Sequence, residues 1–452
     1  MSNLSLSRSP HTAEVIRFAA GAGFRDLPAE VVRESKRCIL DFLGVTIGAV
    51  DSEAGRIARD TALELGGAPQ SGILGFGDRT SVANAALVNG ILSHVLDFDD
   101  THFPTILHPT GVVMSAGLPI GEWKAVSGRD LIAAHVVAFE VAARVSLALH
   151  PHHYDSGWHV TGTAGTLGAA VCAGRLMGLE GGQMAHALGM AATQASGQRE
   201  QFGSMAKALH VGRAAAGGVL SALLASRGYT AAADSLEGRR GMFQVMGFGA
   251  DSGELTRALG ERWEILQSGL KPYPCGVVTH AAIDGVRRLR DRHRVCAVDI
   301  EKLDLRVHPL VLELTGKADP QTGLEGKFSV HFVCAVALLE GGVRPRHFRD
   351  ETVRRPDLIE LLGRIVPQAD EGLKQTEAVL SAHLRDGRIL TEHVKQASGT
   401  PENPLSQEEL DEKFLDLVEP VMGRPAGLRL AGLVENLEEL ENVSELRGIN
   451  HV

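Results

Sequence analysis

The segment LDFDDTHFPTILHP, residues 96–109, places acidic and imidazole side chains between two apolar stretches. The candidate reactive residues in it are Asp97, Asp99, Asp100, His102 and His108. Carboxylates and imidazoles at this spacing can ligate a divalent metal or act as a general acid and base, and they can also form a solvated turn after a helix. The residue types alone leave these three possibilities open.

Three further polar groups interrupt apolar or glycine-rich sequence. His159 precedes the stretch VTGTAGTLGAA, and the free N–H groups at a helix start there would favour an anion. Lys207 and His210 lie in GSMAKALHVGRAAAGG, a helix of small apolar residues in which a buried lysine needs a partner. Lys271 and Tyr273 lie in LKPYPCGVVTH, where the pattern of the sequence changes and a pocket between two domains is expected.

Composition limits the classes of partner. The net charge of −10 argues against nucleic acid and anionic membranes, but a local basic pocket can still bind a small anion. The five cysteines are far apart along the chain, so we expect no disulfide, no iron–sulfur cluster and a reducing cytoplasmic location. No cleavage signal is visible, and polar residues interrupt the most apolar stretch, 131–149, so we expect no segment long enough to span a membrane.

Periodicity predicts the elements that must position these residues. Residues 10 to about 260 have the pattern of successive helices rich in Ala and Gly, which implies close backbone packing. Residues 301–314 alternate and predict a strand, and residues 378–394 form two alternating runs around Asp386-Gly387, which predicts a hairpin. Further helices are predicted over the ranges 326–342 and 357–366 and after residue 404.

The predicted fold is mainly α with an inserted α+β domain. We expect a large all-α helical domain over residues 1–264 and a smaller α+β lid domain over residues 265–400. C-terminal helices over residues 401–452 would return to the helical domain. Lys271 then falls at the junction of the two domains, where ligand pockets concentrate.

Five motifs, in this order, resemble those of the MmgE/PrpD family: HVLDFDDTHFPTILHPTG, GWHVTGTAGTLGAA, GSMAKALHVGRAA, LKPYPCGVVTH and GKFSVHFVCAVAL. The resemblance extends over nearly the whole chain. It implies a large all-α domain with a smaller α+β lid, usually as a homodimer. It also implies an activity among those of the family's 2-methylcitrate dehydratases, cis-aconitate decarboxylases and iminodisuccinate epimerases, on a small anionic di- or tricarboxylate.

Carried onto this sequence, the resemblance implies a pocket formed by Asp97, Thr101, His108, His159, Lys207 and Lys271. We add His210 and Tyr273 from the same motifs as candidate substrate-binding residues. Phe332 stands where family members often have a tyrosine, so that hydroxyl donor is missing here. Only residues 102–107 separate the DDT and HP elements, which is closer to the decarboxylase and epimerase members than to the dehydratases.

The activities of the family share one difficult step, the formation of negative charge beside a carboxylate. Lys207 and Lys271, helped by His159, would stabilise that charge without a metal or another cofactor. We expect His159 to be the principal acid–base and His108 a second proton carrier or carboxylate binder. Asp97 would keep a neighbouring lysine or histidine charged and oriented. Thr101 would donate a hydrogen bond to the substrate.

The favoured function is a cofactor-independent carbon–oxygen or carbon–carbon lyase, either a dehydratase or a decarboxylase. A dicarboxylate epimerase is the first alternative, because it would need the same charge-stabilising groups. A more distant alternative is a metal-dependent hydrolase, whose ligands would be His94, Asp97, Asp100 and His108. A non-enzymatic helical binding protein is the most distant, because several polar groups interrupt apolar sequence.

Overall fold

The computed structural model describes residues 9–447, and most of them are helical. The helices are α1 Pro10–Gly21, α2 Ala29–Ile47, α3 Glu53–Leu65, α4 Val82–Val95, α5 Pro109–Lys124, α6 Gly128–Leu149, α7 His152–Asp155, α8 Val160–Leu176, α9 Gly181–Gln194, α10 Ala206–Ser226, α11 Met242–Met246, α12 His280–His293, α13 Pro309–Thr315, α14 Gly323–Gly326, α15 Val330–Glu340, α16 Asp350–Val353, α17 Pro356–Leu362, α18 Gln407–Met422 and α19 Arg424–Glu435. The strands are β1 Ser71–Gly72, β2 Arg79–Thr80, β3 Thr101–His102, β4 Ser268–Gly269, β5 Ile300–Val307, β6 Ile365–Ala369, β7 Ala378–Leu384 and β8 Ile389–Val394.

The larger hydrophobic core joins helices of the N-terminal half with α18 and α19. In it α10 packs along α4 and α8, and α8 also contacts α5 and α6. Glycines permit this packing, because a Cβ at Gly90 would lie 2.6 Å from the Cα of Gly212, and a Cβ at Gly212 would clash with the carbonyl oxygen of Leu87. The glycines of the sequence therefore let α4 and α10, whose ends carry candidate site residues, approach at backbone distance.

Two helices, α6 and α10, are long and apolar enough to cross a membrane when judged by length and composition alone. The prediction that no segment has this length was wrong in that respect. Both helices are covered by protein, since 94% of the apolar window of α6 and 67% of that of α10 are buried. Two charged residues in the middle of α6 pair inside the core, where Arg144 donates to the Glu140 carboxylate at 3.2 Å and to the Arg257 carbonyl at 2.9 Å.

The smaller hydrophobic core surrounds a four-stranded sheet with the order β6-β5-β7-β8. β5 pairs in parallel with β6 and antiparallel with β7, while β7 and β8 form an antiparallel hairpin. α12 and α15 pack against the sheet and against each other. The hairpin prediction is confirmed, and Gly387 has φ +86° in its turn, a conformation that glycine adopts without strain.

The strand predicted over residues 301–314 is only half right. The strand ends at Val307, and Pro309 begins α13 instead. Proline has no N–H for a sheet ladder, and it fits the first turn of a helix, where that N–H would be unpaired anyway. The His308 imidazole accepts the Leu310 N–H at 3.1 Å and caps this new helix.

The helix predicted over residues 357–366 also stops early, at Leu362. Ile365 begins β6, which pairs in parallel with β5, with Ile365 opposite Leu303. A short apolar run is compatible with either a helix or a strand until its tertiary partner is known.

The chain is thus mainly helical with small sheets, and all five cysteines are free. The larger core holds buried residues up to Leu270 and from Leu405 onward, and the smaller core holds buried residues from Tyr273 to Ala397. The division into domains over residues 1–264, 265–400 and 401–452 stays a prediction.

Candidate active site

A cavity lies where the two cores meet, and it encloses about 440 Å³ including its open mouth. Its carboxylate, imidazole and ammonium side chains come from the loop after α4, the loop before α5, the turn before α8, the start of α10 and the loop after β4. They are Asp97, His108, His159, Lys207 and Lys271. Its larger apolar and aromatic side chains are Ile106, Tyr154, Phe202, Val277, Leu314 and Phe328.

Asp97 lies between two buried lysines. Its Oδ1 atom is 2.6 Å from Nζ of Lys271 and 3.1 Å from Nζ of Lys207. Burial disfavours a charged carboxylate, but the two ammonium groups outweigh that penalty and hold the pKa of Asp97 well below its usual value. Asp97 and the two lysines together carry one net positive charge, which suits an anionic ligand. The Asp99 carboxylate, which acts on both lysines, is a second negative group nearby.

The backbone brings these charges together. Asp97 follows α4 with φ +52°, a left-handed conformation that aspartate tolerates better than most residues, and the chain turns sharply there. β3 then pairs with β4, with Thr101 opposite Gly269, which places the Asp97 loop beside Lys271. Gly269 is required at this crossing, because a Cβ there would clash with the carbonyl oxygen of Gly399.

His94, Asp99 and His108 form a buried cluster beside the cavity. Oδ2 of Asp99 is 2.7 Å from Nδ1 of His94 and 3.8 Å from Nδ1 of His108. The Nδ1 of His108 donates to the carbonyl of Asp100 at 2.7 Å, which assigns its tautomer and leaves Nε2 with a lone pair. Burial, opposed by Asp99, lowers the pKa of His108 to about 3, so the ring is neutral.

Asp100 and Thr101 support the loop rather than lining the cavity. Asp100 accepts the Thr110 N–H at 3.2 Å and the Thr110 hydroxyl at 2.6 Å, which caps α5, and burial raises the pKa of Asp100 well above its usual value. The hydroxyl of Thr101 is 3.2 Å from Nδ1 of His108. Thr101 therefore touches a cavity residue and is itself fully buried behind it.

His159 is the residue before the first turn of α8, and its ring lines the cavity. Its Nδ1 is 2.9 Å from Nδ1 of His210, its ring stacks on His94 with centroids 5.7 Å apart, and the Phe202 ring meets it edge-on at 5.1 Å. Burial, with His94 and Lys207 next, holds the pKa of His159 well below its usual value. Its Nε2 atom makes no hydrogen bond to the described residues.

An aromatic wall holds Lys207 in place. Phe202 and Phe328 stack with centroids 5.7 Å apart, and Nζ of Lys207 is 5.2 Å and 5.1 Å from the two ring centroids. Burial lowers the pKa of Lys207 even though Asp97 opposes this shift. The buried ammonium is thus held by one carboxylate and two ring faces, beside the space that a ligand would fill.

Tyr154 is a cavity residue to which the sequence analysis gave no role. It lies in the four-residue helix α7, and the guanidinium carbon of Arg199 is 4.1 Å from the centroid of its ring. Burial raises the pKa of Tyr154 to about 12. Its hydroxyl has no hydrogen-bond partner among residues 9–447 and stays protonated, so the cavity has a phenol donor of its own. Phe332, by contrast, is fully buried against Phe348 in the smaller core.

Two further residues predicted to bind the substrate do not line the cavity, so with Thr101 three such predictions are wrong in this respect. His210 lies behind His159 on α10. Tyr273 is buried in the smaller core, where its hydroxyl donates to Asp284 at 2.7 Å and accepts from Arg287 at 2.8 Å. Neither side chain reaches the space between Lys207 and Lys271.

A third buried lysine, Lys327, also lies beside the Asp97 loop. Its Nζ donates to the carbonyl of Leu96 at 2.6 Å and to the carbonyl of Pro274 at 2.8 Å, and burial lowers its pKa to about 7. It ties the end of α4 to the loop that follows Lys271. In the sequence Lys327 stands out as a lysine just before the apolar helix α15, but the sequence analysis gave Lys327 no role.

The described residues contain a group that could hold a metal ion, and it differs from the set proposed from the sequence. His94, Asp99 and His108 offer ligand atoms within 4.8 Å of one another. Asp97 and Asp100 take no part in it, because the first is bound by two lysines and the second by Thr110.

Comparison with known proteins places this arrangement in a family. The MmgE/PrpD N-terminal domain matches residues 13–254, and the MmgE/PrpD C-terminal domain matches residues 273–439. The chain belongs to the MmgE/PrpD family, as its five motifs suggested.

Several relatives match the chain from end to end. A cis-aconitate decarboxylase from Aspergillus terreus is 28% identical over 474 residues, which cover 98% of this chain and 96% of the relative. The cis-aconitate decarboxylase of Homo sapiens is 29% identical over 443 residues, covering 93% and 90%. That of Mus musculus is 29% identical over 442 residues, covering 92% and 88%.

Proposed function

We propose that the protein is a decarboxylase acting on a small tricarboxylate of the cis-aconitate type. The observation that carries the proposal is the pairing of one carboxylate, Asp97, with two buried lysines, Lys207 and Lys271, at the wall of a cavity. The names of the end-to-end relatives support the same choice among the activities of the family.

Decarboxylation breaks the carbon–carbon bond to one carboxylate. The electron pair of that bond stays on the carbon, CO₂ leaves, and the carbon then takes a proton. The costly feature is negative charge that builds up near the remaining carboxylates. An ammonium about 4 Å away stabilises that charge by roughly 4 kcal/mol at an effective dielectric constant near 20, and two such contacts approach the roughly 8 kcal/mol at the low end of enzymatic barrier lowering.

Each cavity residue has a role in this chemistry. Lys207 and Lys271 bind carboxylates of the substrate, while Asp97 keeps both lysines charged and oriented. His159 and His108 present Nε2 atoms that make no hydrogen bond within the described residues. The proton of His108 is on Nδ1, so its Nε2 holds a lone pair, and His159 delivers the proton. The hydroxyl of Tyr154 offers a further hydrogen bond.

An epimerase of the same family would use the same cations but would keep every carboxylate. The test is to incubate the purified protein with cis-aconitate in D₂O and to follow CO₂ and the product by mass. We expect one CO₂ per substrate and a dicarboxylate that carries one deuterium at the protonated carbon.

Three results would contradict the proposal. If no CO₂ is released, the decarboxylase proposal is rejected. Deuterium exchange into a related dicarboxylate without loss of mass elsewhere would favour the epimerase. Activity that is lost on chelation and returns with a divalent ion would favour metal chemistry at His94, Asp99 and His108.

A further inference from the structure

We infer that His210 is a positioning residue that passes a proton to His159, so that the two imidazoles relay a proton from solvent to the cavity. The inference rests on the proposed function, because decarboxylation consumes one proton for each CO₂ released. It gives His210 a role other than the substrate binding expected from the sequence.

The rings of His159 and His210 contact each other through the same nitrogen, Nδ1, of each ring. Nδ1 of His159 and Nδ1 of His210 are 2.9 Å apart. A hydrogen bond between two such nitrogens requires that one carries the proton and the other a lone pair. Within residues 9–447, His210 is the hydrogen-bond partner of this side of His159, and the protonation state of either ring therefore fixes that of the other.

The backbone is shaped to admit the His210 ring. A Cβ at Gly197 would lie 3.2 Å from Cγ of His210, and a Cβ at Gly162 would lie 3.2 Å from Cβ of His210. The carbonyl of Gly197 also accepts the His159 N–H at 3.0 Å, which fixes the turn that carries His159. Two glycines thus hold the pair of rings in contact.

The pair has one end in the cavity and one end away from it. Nε2 of His159 has no hydrogen-bond partner among the described residues, and His159 lines the cavity. His210 is only partly buried, and its Nε2 atom makes no hydrogen bond to residues 9–447 and is not enclosed. Bulk water can therefore reach the outer nitrogen while a ligand occupies the inner one.

The surroundings keep both rings neutral. The titratable and charged groups around the pair are His94 from α4, His108 from the loop before α5, and Lys207 from α10. Burial, with His94 and Lys207 next, lowers the pKa of His210 to about 4. A neutral imidazole can give up its Nε2 proton without becoming an anion only if its Nδ1 receives another proton at the same time.

The relay supplies that second proton. Before the step, His210 carries its proton on Nδ1 and donates it to Nδ1 of His159, which carries its own proton on Nε2. As the C–C bond breaks and CO₂ leaves, the Nε2 proton of His159 moves to the carbanion. The Nδ1 proton of His210 moves to His159, and a water molecule protonates Nε2 of His210 and leaves hydroxide in the bulk solvent.

Both imidazoles end neutral, and one proton has passed from solvent to carbon. After the product leaves, water in the open cavity returns a proton to Nε2 of His159, and the pair shifts back to its first tautomer as Nε2 of His210 releases a proton. The relay is therefore needed only while the ligand keeps water out of the cavity.

The test compares His210→Asn with the wild-type protein. An asparagine amide can take the place of the Nδ1 group and keep the hydrogen bond to His159, but it cannot relay a proton. We expect kcat to fall about 100-fold while KM stays within about twofold, because the loss is confined to proton transfer. His186→Asn is the matched control, since His186 is a partly buried histidine that accepts the Ala231 N–H at 3.1 Å on another helix.

A second variant separates proton relay from simple support. His210→Ala leaves a space that opens toward solvent, and added imidazole should restore kcat in proportion to its concentration. Imidazole should leave the wild-type protein and His186→Asn unchanged. A structural role alone would give no such rescue.

The outcomes distinguish this inference from the proposed function. If the wild type is active and His210→Asn is equally active, the relay is overturned and the decarboxylase proposal stands. The same conclusion follows if the wild type is active and His210→Ala does not respond to imidazole. A wild-type protein that releases no CO₂ from cis-aconitate removes the proton demand and overturns both. Slow His210→Asn turnover together with imidazole rescue of His210→Ala supports both.

Discussion

At the scale of residues, the site depends on charges that are fixed before a ligand arrives. Asp97 and Asp100 are three positions apart, but their partners differ. Asp97 contacts two ammonium groups and is ionised, while Asp100 contacts a hydroxyl and an N–H of Thr110 and is pushed by burial toward its neutral form. Identical side chains on one loop therefore have different chemistry because their neighbours differ.

This difference can be tested with two matched substitutions, each of which replaces an aspartate by asparagine. Asp97→Asn leaves two buried lysines without a counter-ion, so we expect kcat/KM to fall at least about 100-fold. Asp100→Asn replaces a neutral carboxyl by a neutral amide of the same shape, and we expect kcat/KM within about threefold of wild type. Steady-state kinetics of both variants decides, and equal losses in the two would refute the assignment.

Lys207, assigned to the stabilisation of negative charge, and His159, assigned to proton transfer, give a second prediction. His159→Ala and Lys207→Ala should each lower kcat/KM at least about 100-fold, or about 2.7 kcal/mol of transition-state stabilisation. Circular dichroism should show that the fold is retained. Near-normal turnover of either variant on cis-aconitate would remove that residue from the mechanism.

The sequence indicates most cavity residues because they are polar groups in apolar surroundings. Lys207, Lys271 and His159 stand out in this way, and the structure brings them to one cavity. The sequence does not show in which direction a side chain points. His210 follows Lys207 by one helical turn yet points behind His159, and Tyr154 lies in a short helix that has the composition of a solvated loop.

At the scale of elements, the site is held by the close approach of α4 and α10. One helix leads into the Asp97 loop, and Lys207 lies in the first turn of the other, so their separation sets the distance between the two charges. Gly90 and Gly212 form the contact between them. A methyl group at this crossing has no free space to occupy.

Gly212→Ala should therefore separate the helices. We expect a loss of about 1–3 kcal/mol in the free energy of unfolding, together with reduced activity. Gly432→Ala in α19 is the control, because no atom lies within 4 Å of the added Cβ, and the gain in helix propensity should stabilise the protein by about 0.5–1 kcal/mol. Urea denaturation measures both, and an unchanged Gly212→Ala would show that the crossing is not tight.

Element types followed from the sequence where the pattern was local. The hairpin around Asp386-Gly387 needs only its own turn and two alternating runs, and it was predicted correctly. The run over residues 357–366 required knowledge of its pairing with β5, and its end proved to be strand β6, whereas the local signal of Pro309 ends the strand predicted over residues 301–314. Predictions failed where a tertiary partner decides the state of an apolar run.

At the scale of the whole molecule, lysine side chains join distant segments of the chain around the cavity. Lys413 of α18 forms an ion pair with Asp41 at 2.5 Å and donates to the carbonyls of Phe98 at 2.8 Å and Lys271 at 2.9 Å. Lys327 spans from the smaller core to the end of α4. The sequence could not show these contacts, because they join segments hundreds of residues apart.

Buried neutral histidines make the stability of the whole protein depend on pH. Burial lowers the pKa of His108, His135 and His280 to about 3, whereas the unfolded value is about 6.5. Below pH 6.5 the unfolded chain binds protons that the folded chain does not, so each such histidine destabilises the fold by up to about 1.4 kcal/mol per pH unit as pH falls toward 4.

The carboxyls of Glu140 and Asp100 act in the opposite sense, because burial raises the pKa of each in the fold. The buried histidines outnumber them, so we expect the melting temperature to fall between pH 7 and pH 5. Calorimetry at several pH values checks this, with His135→Gln as a variant that should reduce the slope. A melting temperature that rises on acidification would contradict the neutral state of the buried rings.

The most direct test of the account is the affinity of a tricarboxylate for the cavity. Isothermal titration of tricarballylate, a saturated tricarboxylate that lacks the double bond of cis-aconitate and is not consumed, into the wild-type protein and into Lys271→Met should show at least about a tenfold loss of affinity in the variant, because one of two cations at Asp97 is removed. Lys395→Met, at an exposed lysine, is the matched control and should bind like the wild type. Equal affinity in the wild type and Lys271→Met would show that the lysine pair is not the carboxylate-binding site.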